Sequence, residues 1–143
     1  MDYDIESYCN ESWRLMITID YIMSLLDWNN PIEKQTEGLV LAEKINDIYY
    51  FLQPENIKYN KNVWENCAKI LAKKSDSELE KHLIKLFEWL QDMTWPGADR
   101  ILHRLEQYDN NEHFSAAYYE CISRAESTGD YVWLDNLNSI NFK

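Results

Sequence analysis

The chain has 143 residues, 45% hydrophobic and 27% charged, with a formal net charge of −11. That balance fits one folded domain and argues against disorder. The acidity argues against nucleic-acid binding and against attachment to an anionic membrane, since both need a lysine and arginine surface. Three glycines and three prolines are too few for the turns of an all-β fold. The expected fold is therefore all-α, about seven helices in antiparallel pairs, spanning 1–143 as one domain.

The first helix is expected from about Ile5 to Asp27. Its apolar positions Trp13, Met16, Ile17, Ile19, Tyr21, Ile22, Met23, Leu25 and Leu26 are too dense for a narrow stripe, so burial around much of its circumference is expected. Asn30 as N-cap and Pro31 at the first helical position open a second helix reaching Leu52. Gly38 inside it predicts a close helix–helix approach.

A third helix is expected over 61–74, and Ser75-Asp76-Ser77-Glu78 has the form of a capping box that opens a fourth. A fifth begins at Pro96, a sixth follows Asp109-Asn110-Asn111, and Gly129-Asp130 separates it from a short seventh. Short connections predict antiparallel neighbours.

Two junctions share one spacing: Asp27 to Pro31 and Asp92 to Pro96 are the same four-residue step, each between an apolar helix and the next. An aspartate there can accept N–H groups that the new helix leaves unpaired, and proline presets its φ. The repetition predicts helix hairpins at about 5–52 and 77–108, arranged as a short α-solenoid or an irregular helical bundle. The segment Trp89-Leu90-Gln91-Asp92-Met93-Thr94-Trp95-Pro96-Gly97-Ala98, with Asn62-Val63-Trp64-Glu65-Asn66-Cys67-Ala68, resembles a small bacterial family of HEAT-like helical proteins over roughly residues 60–108. The resemblance implies a toxin-immunity or adaptor role and carries no catalytic motif.

Few residues point to chemistry. Glu78 with His82, and Asp99 with His103, lie four apart; that spacing suits helix-surface ion pairs as well as two metal ligands, and a metal site needs three or four. Cys9, Cys67 and Cys121 are odd in number and far apart, as expected of buried thiols in a reducing cytoplasm. There is no phosphate loop and no nucleophile elbow. No cofactor, metal site or catalytic residue is expected, and the acidic start Met1-Asp2-Tyr3-Asp4 is unlike a signal peptide.

The charge is uneven. Residues 1–55 hold 11 acids and 3 bases. An acidic end can be a solubilising surface or can attract a basic protein. The expected function is binding of a basic protein partner, a bacterial toxin being one form, through Glu33, Glu37 and Asp47 with Tyr50 as aromatic anchor. Of Tyr49-Tyr50-Phe51, Tyr50 is the expected surface residue. The alternative is a helical enzyme or small-ligand protein with a pocket near the Asp92–Pro96 junction, drawing on Trp95, Asp99 and His103.

Overall fold

The computed structural model describes residues 3–54 and 58–143, with side chains from Arg14 onward except Ile17. The expectations placed on Cys9, Trp13 and Ile17 lie outside the described side chains. The α-helices are α1 Tyr3–Leu26, α2 Ile32–Ala42, α3 Trp64–Ala72, α4 Asp76–Leu79, α5 Leu83–Glu88, α6 Ala98–Gln107, α7 Glu112–Thr128 and α8 Tyr131–Asn138. A tight 3-10 turn at Glu80–His82 joins α4 and α5 into one rod, which a second at Trp89–Gln91 extends, so the described residues form seven helical rods and no strand.

Local chemistry sets most boundaries. Both halves of the Ser75–Glu78 capping box are present. Asn111 accepts from the Phe114 N–H at 3.0 Å to open α7, and Asp130 does the same for Trp133 at 3.0 Å to open α8. Gly129, at φ +69°, ends α7 in the left-handed conformation.

The second helix is shorter than its periodicity suggests. It stops at Ala42, and Ile48–Phe51 forms a separate 3-10 turn. Asp47 starts that turn by accepting the Tyr49 N–H at 3.1 Å, the local competition by which Asp interrupts helices. Pro31, not Asn30, is the N-cap residue of α2. The Asn30 amide points backward instead, donating to the carbonyls of Ser24 at 2.7 Å and Leu25 at 3.1 Å at the end of α1.

The two Asp–Pro junctions are one turn built twice. Asp27 Oδ1 accepts the Asn29 N–H at 2.8 Å, and its carbonyl accepts the Asn30 N–H at 3.0 Å. Asp92 Oδ1 accepts the Thr94 N–H at 2.9 Å, and its carbonyl accepts the Trp95 N–H at 3.1 Å. Each aspartate thus closes its own turn rather than capping the helix that follows.

The two turns serve different purposes. At Asp27 the chain reverses within a pair: Tyr21 meets Glu37, so α1 and α2 run antiparallel. Gly38 makes their approach possible, because a Cβ there would lie 2.8 Å from Leu26 Cδ2 and 3.0 Å from Leu25 Cβ. At Asp92 the chain passes between pairs. Arg100 meets Glu65 and Arg104 meets Lys74, so α6 lies parallel to α3. His113 meets Glu80 and Arg124 meets Glu88, so α7 lies parallel to α5. The pair 61–91 therefore stacks on the pair 98–128, as in a short α-solenoid, and the repeating unit falls one rod away from 77–108. Tyr118 donates to the Leu137 carbonyl at 3.0 Å, which places α8 antiparallel along α7.

One continuous core runs through these layers. Tyr108 stacks on Phe114 at 4.8 Å between ring centroids, and Phe114 meets Phe87 at 5.4 Å. Each such ring removed from water is worth roughly 1.5–3 kcal/mol. Trp89 is fully buried and donates to the Pro96 carbonyl at 3.0 Å, folding the second junction onto the core.

Candidate partner-binding surface

The first helix is not enclosed as its composition suggests. Ile19, Ile22, Met23, Leu25 and Leu26 are buried, but Leu15, Met16 and Tyr21 are exposed. The adjoining turn and α2 add Trp28, Ile32 and Val40, also exposed. Among the described residues, α1 packs against α2, against the segments on either side of 55–57, and against α3 through Met23 and Leu26, and part of its apolar circumference stays exposed. Residues 1–57 hold 11 acids against 3 bases, whereas 58–137 hold 14 against 10. The N-terminal part of the sequence, which includes α1 and α2, therefore combines exposed apolar side chains with most of the excess negative charge.

The four residues singled out from sequence lie on two separate elements. Glu33 and Glu37 are exposed together on α2, with Glu37 Oε1 accepting a hydrogen bond from Tyr21 Oη at 3.3 Å. Asp47 and Tyr50 lie on the 3-10 segment beyond it. Asp47 is the carboxylate that acts on His82, although burial dominates there and pushes the imidazole below its usual range. Tyr50 is half-buried; it is Tyr49, 44% exposed, that faces solvent. A three-residue turn rotates its side chains differently from an α-helix, which moves the exposed position by one.

Tyr50 lines a cleft of about 350 Å³ with Met16, Ile19, Asp20, Tyr49, Lys58 and Tyr59. At its edge Asp20 Oδ1 accepts from Lys58 Nζ at 2.9 Å and from the Tyr59 hydroxyl. The Tyr59 hydrogen bond, then that of Lys58, holds the Asp20 carboxyl below the ordinary aspartate range. Burial, then Asp20, pushes the Tyr59 phenol well above its usual value. This trio was missed in the sequence reading. Its one signal was an aspartate inside the apolar run Ile19-Asp20-Tyr21.

The alternative site is divided. Asp99 and His103 line a shallow groove on α6 of about 290 Å³, with Ala72, Arg100, Arg104 and Gln107. Trp95 lies apart from that lining and packs edge-to-face on Trp64, with centroids 5.5 Å apart. Of the histidines paired by spacing, His103 has its Nδ1 3.8 Å from Glu106; His113, outside those pairs, has its Nε2 3.4 Å from Glu80. Glu78 is occupied by the Ser75 cap.

Among the described residues no three His, Cys, Asp or Glu side chains gather as a metal site. Cys67 and Cys121 are buried, and burial pushes both thiols up to about 12, which keeps them protonated at neutral pH. No helix of the described residues is long and apolar enough to cross a membrane.

No curated protein and no solved structure matched the chain. One family model matches residues 58–137, which spans α3 to α8 and leaves the α1–α2 hairpin outside the match. The chain belongs to this family, described as a domain of unknown function (DUF5071).

Proposed function

We propose that this protein is a protein-binding helical module whose α1–α2 hairpin docks a basic protein partner. The observation that carries this reading is the exposure of Met16, Tyr21, Ile32 and Val40 beside Glu33 and Glu37. Exposed apolar groups grouped on one element mark interaction surfaces, and charges around them set partner choice and encounter rate. The stacked pairs 61–128 serve as the rigid support. A bacterial toxin neutralised by direct occlusion is the form of this role that the sequence resemblance implies, with the cytoplasm as its expected setting.

The test is affinity capture from the native host with the wild-type chain and with a Glu33→Lys/Glu37→Lys variant. The reading expects a basic protein retained by the first and lost by the second, with retention weakening as salt rises from about 50 to 500 mM. A partner held equally by both chains would contradict it. Growth rescue by this chain, when the captured protein is expressed and toxic, would establish the immunity form.

A further inference from the structure

We propose that the corner between the Trp64 and Trp95 indoles is a binding site for an ammonium group, held in the free chain by its own Lys61. The two rings meet at 86° with centroids 5.5 Å apart and so form two walls at right angles. Lys61 Nζ stands 5.7 Å from the Trp64 centroid and 6.0 Å from that of Trp95. Both distances fall in the range where the negative face of an indole attracts a cation.

The walls are fixed from behind. Trp64 packs edge-to-face on Trp89 at 6.1 Å, and Trp89 is anchored by its bond to the Pro96 carbonyl. Gly97 closes the backbone against this pair, since a Cβ there would lie 2.9 Å from the Trp64 carbonyl oxygen and 3.0 Å from Trp89 Cζ2. Trp64 is buried, and among the described residues its Nε1 has no hydrogen-bond partner.

Lys61 is a replaceable occupant. It is exposed, sits in the short 3-10 turn Lys61–Val63, and makes no ion pair among the described residues. Asp92 lies close enough to feel its charge and would remain to attract a replacement cation. The ligand chemistry is that of an ammonium, supplied either by a lysine side chain of a protein or by a free quaternary amine. The site belongs to the family-matched segment and stands independently of the acidic α1–α2 surface.

Tryptophan fluorescence of the intact chain tests this directly. Wild type and Lys61→Ala are titrated with tetramethylammonium chloride, with a lysine-bearing peptide, and with sodium chloride at equal ionic strength. An exposed cation–π contact of about 0.5–1 kcal/mol predicts that Lys61→Ala binds about two- to fivefold more tightly than wild type. A response to the peptide alone assigns the site to protein lysines; a response to tetramethylammonium alone assigns it to free amines. Trp95→Leu, added to Lys61→Ala, keeps an apolar side chain but removes one aromatic wall and should abolish saturation. Responses no larger than those to sodium, or saturation that survives Trp95→Leu, would overturn the proposal.

Discussion

Asn66 on α3 donates from Nδ2 to the main-chain carbonyl of Leu26, the last residue of α1, at 2.7 Å. The same amide donates to Gln35 Oε1 on α2 at 2.9 Å, while Gln35 Nε2 reaches the Asn30 carbonyl at 2.7 Å. One buried asparagine thus fastens both helices of the hairpin to the family-matched body. Asn136 on α8 plays a similar part for the 76–91 rod, donating to the Leu90 carbonyl at 2.7 Å.

Replacing Asn66 with alanine leaves the Leu26 carbonyl and the Gln35 amide oxygen short of a donor in a site only 2% exposed. The expected loss is about 2–3 kcal/mol in urea unfolding. Hydrogen exchange should show the α1–α2 hairpin loosening before α3 to α8 do. Uniform loss of protection would argue against a specific tether.

Gly97 and Gly129 both have positive φ, yet they should respond differently to alanine. At Gly97, φ is +85° and a Cβ would lie 2.7 Å from Ala68 Cβ, so strain and overlap act together. Among the described residues, nothing lies within 4 Å of a Cβ at Gly129. Gly97→Ala should cost about 3 kcal/mol or more and Gly129→Ala about 1 kcal/mol, measured by denaturant midpoint. Equal costs would show that the close approach at Gly97 relaxes freely.

Arg104 is nearly buried and joins α6 to the start of α4, donating to Asp76 Oδ1 at 2.6 Å and to the Lys74 carbonyl at 2.9 Å. Asp76 Oδ2 also accepts the Asp109 N–H at 3.0 Å. Burial raises the Asp76 pKa, but the bonds from Asp109 and Arg104 outweigh it and hold the carboxyl below the usual 3.8. A depressed folded pKa gives stability that is full above the unfolded pKa and is lost as pH falls through the folded one. Wild type should therefore lose stability more steeply than Asp76→Asn between about pH 5 and pH 3. Parallel curves would remove the carboxylate from the account. Arg104→Ala should cost about 2 kcal/mol at pH 7, below the value for a fully buried pair because the Asp76 side chain is 37% exposed.

Glu33→Lys/Glu37→Lys should leave the fold within about 1 kcal/mol of wild type. Both side chains are exposed, and the lost attraction of Glu33 for the first turn of α2 is of that order. Thermal unfolding checks this before any binding defect is assigned to the surface.

Much of the helical body was legible because its signals are local. The Ser75–Glu78 box, the Asp130 cap, the Gly129 stop and the tight fit at Gly38 depend on residues a few positions apart or on one missing side chain. The parallel stacking of α6 on α3 was not, because it rests on groups 30 to 35 positions apart, such as Arg104 with Lys74 and Arg100 with Glu65. The matched Asp–Pro turns misled for the same reason: identical local geometry served first a reversal and then a passage between pairs. At the surface, the pairing of Glu33 with Glu37 followed from helical spacing. Asp47 and Tyr50 were expected on the second helix, but that helix ends at Ala42 and both lie at the separate 3-10 turn.

The central claim is tested most directly by the affinity of the partner captured from the native host, measured by titration calorimetry against wild type and the Glu33→Lys/Glu37→Lys variant at low and high salt. The account predicts at least a tenfold loss for the variant at low salt and a smaller difference at high salt. Equal affinities at both salt concentrations, with the variant folded, would contradict it.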